Sequence, residues 1–96
     1  MKQAKTKTAN ALALRLYVAG NAPNSVRAVA NVEAICRDHY QDARLEIFDL
    51  SAHAAQALAD GIVVTPTLLK LFPKPACRIV GNLSETDQVL MALAAR

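Results

Sequence analysis

Ninety-six residues with 11 basic and 8 acidic side chains, a formal charge of +3, are enough for one small domain and exclude a second full one. Hydrophobic residues make up 53%, but 19 of them are alanine, which leaves 32 larger apolar side chains for a core of one helical layer on a sheet. Lys2, Lys5 and Lys7 carry the whole basic excess, so residues 8–96 balance at 8 basic and 8 acidic groups. With only Tyr17, Tyr40, Phe48 and Phe72 as aromatics, that part lacks the basic stripe and stacking surface of a nucleic-acid binder. Residues 1–10 are therefore expected to be a flexible basic tail and residues 11–96 the domain.

The first element is a strand: Leu12, Leu14, Leu16 and Val18 alternate with smaller or polar residues up to the turn Gly20-Asn21-Ala22-Pro23-Asn24. A helix follows from Asn24 or Ser25, either of which can cap it, to about Tyr40, with Val26, Val29, Val32, Cys36 and Tyr40 as its apolar stripe. Cys36 in that stripe is expected to be buried and inert, and His39 to lie on the surface. Residues 44–50 form a second strand with apolar side chains on both faces, as for a strand between covering layers.

Ser51 then caps a short Ala-rich helix ending at Gly61, in which Leu58 is the single large anchor, so this helix is weakly docked and His53 within it faces solvent. The next strand begins at or after Pro66, because proline cannot donate to a ladder. Pro73 and Pro75 bracket a turn, and residues 77–80 return as the second arm of an antiparallel hairpin closed by Gly81-Asn82. Ser84 to Asp87 has the spacing of a capping box, and Val89, Leu90, Leu93 and Ala94 give a last helix one apolar face. The order is βαβαββα, with a parallel pair joined by a crossover and then a hairpin.

Arg15 interrupts the apolar stretch after the basic start, and no run approaches the roughly 18 residues of a membrane span, so a soluble, cytoplasmic chain with no membrane association is expected. Cys36 and Cys77 stand 41 positions apart, a spacing of no metal or redox motif, and are read as reduced thiols; no metal or cofactor is expected.

The order, the turn after the first strand and the Val64-Thr65-Pro66-Thr67 segment resemble the α/β thioredoxin fold, with Pro66 at the position of its cis-proline loop. In thioredoxins the turn holds Cys-x-x-Cys, whereas here it reads Asn21-Ala22-Pro23-Asn24, and carboxamides cannot exchange thiols. Residues 16–28, Thr65-Pro66-Thr67-Leu68, the proline-bracketed turn and residues 78–84 together resemble the KaiB family over about residues 12–93.

That resemblance implies a non-enzymatic regulator that binds a hexameric RecA-like ATPase, KaiC, and modulates its phosphorylation cycle in a clock, a timer or a stress response. It also implies a second, self-associated arrangement of order βαββααβ, as dimer or tetramer, reached by refolding the second half. Residues 51–64 have few large anchors, and the prolines at 66, 73 and 75 could each slow such a rearrangement. Ala92 and Ala94 stand where cyanobacterial members carry a glycine and an acidic residue. Alanine favours a helix interior over glycine by roughly 1 kcal/mol, so the thioredoxin-like state should be more populated here than in those members.

The acidic C-terminal tail of those members is absent from this sequence, which argues against their tetramer. By position, Arg27, Lys70 and Arg78 are the implied contacts for an acidic ring surface, while Asn21, Pro23, Asn24 and Pro66 are landmarks of the turn and the proline loop. A KaiA-like protein and a histidine kinase with a KaiB-like sensor domain are the further associations the family suggests. The alternative reading is a thiol oxidoreductase or glutathione-binding module, which the Asn-Ala-Pro-Asn turn disfavours.

Overall fold

The computed structural model describes residues 11–94; the basic segment 1–10 lies outside them. Seven elements follow in the expected order: β1 (Ala13–Val18), α1 (Pro23–His39), β2 (Arg44–Asp49), α2 (Ala54–Ala59), β3 (Thr67–Phe72), β4 (Cys77–Val80) and α3 (Thr86–Ala94). The strands form one sheet in the order β2-β1-β3-β4, with β1 parallel to β2 and antiparallel to β3, and β4 antiparallel to β3. β2 is thus an edge strand, with Ile47 38% exposed, and is less covered than its apolar content suggests.

Alternation along the strands gives the sheet two different faces. On one, Leu14, Leu16, Val18 and Leu68 pack with Ala28, Val32 and Ile35 of α1, Leu83, and Val89 and Leu93 of α3. On the other, Tyr17 and Leu69 meet Ala57 of α2, with Phe48, Leu50 and Ile62 around them. The pairing Glu46–Arg15–Leu69–Arg78 runs across the sheet on this second face.

Helix α1 starts earlier than its polar residues suggest: Ala22 holds the cap position without a side-chain bond, and Pro23 fills the first helical position, where its missing N–H is no loss. Ser25 does not cap the helix; its Oγ accepts the Ala19 N–H at 3.0 Å. The buried line is Ser25, Ala28, Val32 and Ile35, while Val26 is 54% exposed and Val29, Cys36 and Tyr40 only flank the core. Small residues begin that line because the first turns of α1 lie close against the end of β1, where close packing leaves little room for a branched side chain.

Helix α2 is shorter than read from the sequence and is held differently. Ser51 bonds back to Asp49 Oδ1 through both its N–H and its hydroxyl, the cap position falls to His53 without a side-chain bond, and Leu58 is 82% exposed while Ala57 is buried. Gly61, at φ +70°, ends the segment in the left-handed conformation that glycine adopts without strain. Strand β3 begins one residue after Pro66, as expected, and the Thr65–Pro66, Phe72–Pro73 and Lys74–Pro75 bonds are cis.

Candidate interaction surface

The turn after β1 is held by hydrogen bonds to two distant segments, at Asp49 and at Asn82. Gly20, at φ +51°, donates its N–H to Asp49 Oδ2 at 3.0 Å, and the Ser51 backbone N–H and hydroxyl bonds to Asp49, with Gly20, hold that carboxyl below the usual carboxylate range. Asn24 Oδ1 accepts from Arg27 Nη1 at 3.2 Å and from Asn82 Nδ2 at 3.4 Å. Asn82 also takes the Asn31 side-chain N–H on its carbonyl at 2.7 Å and the Ser84 N–H on its Oδ1 at 3.0 Å. Pro66 is buried, and its carbonyl accepts the Gly81 N–H at 3.0 Å. Asn21, Pro23 and Asn24 are all exposed.

The turn carries two carboxamides and no thiol, and the cysteines lie elsewhere. Cys36 is half-buried in α1, where burial and then the neighbouring Glu33 push its thiol up, favouring the protonated form over the nucleophilic thiolate. Cys77 opens β4 and its S–H points to the Ala92 carbonyl at 3.7 Å. Among the described residues, no group of three or more His, Cys, Asp or Glu side chains is placed to hold a metal ion, and no helix is long and apolar enough to cross a membrane.

The three basic positions do not share a surface. Arg27 is exposed on α1, on one side of the sheet, and Arg78 is exposed on the α2 side. Lys70 is only 2% exposed, which corrects its reading as a surface contact: it pairs with Leu14 in β3, two residues after buried Leu68, so alternation turns it to the interior face. Arg78 is engaged as well, donating from Nη1 to the Gly61 carbonyl at 2.9 Å and from Nη2 to the Asp60 carbonyl at 3.0 Å, across the C-terminal end of α2.

A polar cluster under α2 is the feature that the sequence does not disclose. The Asp60 carboxylate accepts the Tyr17 hydroxyl at 2.6 Å and Arg15 Nη1 at 3.0 Å, while Arg15 Nε reaches Glu46 at 2.8 Å. The Arg15 guanidinium lies 4.8 Å from the centre of the Phe48 ring, which also meets Tyr17 edge to face and stacks on His53 at 4.1 Å. His53 is accordingly half-buried rather than solvent-facing. The Tyr17 hydroxyl, followed by Arg15, holds Asp60 below the usual carboxylate range, and burial with the Asp60 bond pushes Tyr17 up to about 12. The alternation of Leu14, Leu16 and Val18 already places Arg15 and Tyr17 on the opposite face; nothing local marks Asp60 as their partner.

Solved structures of this shape define the class. The solution structure of the N-terminal domain of Synechococcus elongatus SasA superposes with a TM-score of 0.71 at 26% identity, covering 88% of this chain and 80% of that one. The Drosophila germline thioredoxin Deadhead gives a TM-score of 0.74 at 13% identity, covering 98% and 90%, a likeness of fold alone. The chain is a thioredoxin-like α/β domain.

Its sequence is more specific than its shape. Residues 15–95 match the KaiB domain family. The circadian clock protein KaiB3 of Synechocystis sp. is 41% identical over 85 residues, covering 88% of this chain and 83% of that protein. The circadian clock oscillator protein KaiB of Synechococcus sp. is 43% identical over 81 residues, covering 83% and 79%. The chain belongs to the KaiB family.

Proposed function

We propose that this protein is a non-enzymatic regulator that binds a hexameric KaiC-like ATPase in the cytoplasm and modulates its phosphorylation or ATPase cycle. The observation that carries this reading is the family match across residues 15–95 together with a turn, Asn21-Ala22-Pro23-Asn24, that has no thiol with which to perform exchange chemistry. Function then resides in a surface, and Arg27 is its cleanest candidate contact: it is exposed, and its bond to Asn24 lies within the same helical turn. Arg78 is a second contact on the other side of the sheet, already committed in part to α2.

Immobilised protein should retain the KaiC-like ATPase of the same organism, and Arg27→Glu should reduce that retention without loss of fold. Failure of the unaltered protein to retain the ATPase overturns the reading. Comparing Arg27→Glu with Arg78→Glu identifies the face that docks. A second arrangement of order βαββααβ belongs to this proposal, with Ala92 and Ala94 in α3 favouring the thioredoxin-like state. A solution spectrum showing only the βαββααβ topology would refute that preference.

A further inference from the structure

Helix α2 has six residues, one of them buried, and its largest apolar side chain points to solvent. A helix of that length has no stability of its own in water, so its tertiary contacts hold it in place. At its start Ser51 bonds to Asp49 and His53 stacks on Phe48; at its end the contacts are charged. Asp60 receives the Tyr17 hydroxyl and Arg15 from β1, and Arg78 from β4 donates to the carbonyls of Asp60 and Gly61. Glu46 of β2 faces the same guanidinium of Arg15 without reaching across to α2. Beneath lie Tyr17, Leu69 and Phe48, an apolar patch that α2 covers through Ala57 alone among its buried residues.

We propose that Asp60 is a latch that holds α2 as a lid over the Tyr17–Phe48–Leu69 patch, so that removing this one carboxylate lets residues 51–65 open as a unit while the α1 and α3 face stays packed. The latch is made of charge-assisted hydrogen bonds in a half-dry site, with side-chain exposures of 18% at Arg15 and 19% at Asp60, where each bond counts for more than at the surface. The opposite face relies mainly on contiguous apolar packing, with Lys70 as a buried charge on it. Local opening at lower free energy than global unfolding is expected where few apolar contacts secure a segment. The lid is independent of whether a KaiC-like ATPase is the partner.

Amide hydrogen exchange of the full chain tests the latch, in the unaltered protein and in Asp60→Asn and Tyr17→Phe. The N–H groups of Ala57, Asp60, Gly61 and Ile62 are hydrogen-bonded within the lid segment and report on it directly. Asp60→Asn should speed their exchange by about tenfold or more, the loss of one charged hydrogen bond, with Ala28 to Ile35 of α1 changed by less than about twofold. Tyr17→Phe, which keeps the ring and removes only the hydroxyl, should give the same pattern at smaller amplitude. Unchanged exchange at the four amides overturns the proposal, as does equal acceleration in α1. Should Asp60→Asn not fold, Tyr17→Phe decides alone; should neither fold, the latch is inseparable from the core and the proposal fails.

Discussion

The two faces of the sheet are secured by different chemistry. The face under α1 and α3 is a largely apolar layer, with Leu16, Leu68, Ala28 and Val32 at 0% exposure and Ser25 and Lys70 as its buried polar members. The face under α2 has a buried cluster of Tyr17, Ala57 and Leu69 flanked by half-buried Phe48, Leu50 and Ile62, and adds to it the bonds of Asp60, Arg15 and Arg78. Apolar burial is non-directional and spreads its stabilisation over every contact, so it tolerates small shifts and yields only cooperatively. A hydrogen-bonded charge is directional and is lost in one step, which makes the second face the part of the molecule that can change without the first.

Leu16→Ala should sharpen that contrast most, costing about 2–5 kcal/mol and lowering the stability of the whole domain in denaturant unfolding. Asp60→Asn should cost about 1–3 kcal/mol at neutral pH and should alter the acid limb. Because Asp60 is held below its ordinary value by Tyr17 and then Arg15, its contribution is complete above about pH 4 and disappears as pH falls through the lowered value. A carboxamide cannot titrate, so a pH series of unfolding midpoints should show a shallower acid decline for Asp60→Asn than for the unaltered protein.

Tyr17→Phe should cost about 1 kcal/mol near neutrality. The Tyr17 hydroxyl, raised from 10.0 to about 12, stabilises fully below about pH 10 and loses that effect as pH rises towards 12. Midpoints of thermal unfolding in that range should fall for the unaltered protein and stay flatter for the Tyr17→Phe variant. Leu58→Ser should change stability by less than about 0.5 kcal/mol, since its side chain is 82% exposed; a larger loss would mean that α2 is anchored apolarly after all.

The order of elements is legible because alternation, helical spacing and the Gly and Pro positions are local signals, and the start of β3 follows from the one residue that cannot donate. The phase of α1 is not: Ser25 and Ala28 are too small to register as core, yet they face the sheet, while Val26 faces water. Size misleads again in α2, where Leu58 has the bulk of an anchor and Ala57 makes the contact. Lys70 is readable in principle, since it lies two positions after Leu68, but its charge masks its register. The bond from Tyr17 to Asp60 spans 43 residues and that from Arg15 spans 45, so no window of sequence contains it.

Strand β1 is bonded on both sides, to β2 in parallel and to β3 in antiparallel pairing. The chain therefore consists of an N-terminal βαβ half and a C-terminal ββα half whose strands meet along one seam of the sheet, from Tyr17 beside Thr67 to Ala13 beside Phe72. Neither half encloses Leu16 and Leu68 alone, because α1 comes from the first and α3 from the second. The lid is also the connector between them, so movement in residues 51–65 changes the slack with which the halves are tethered and leaves the β1–β2 pair whole.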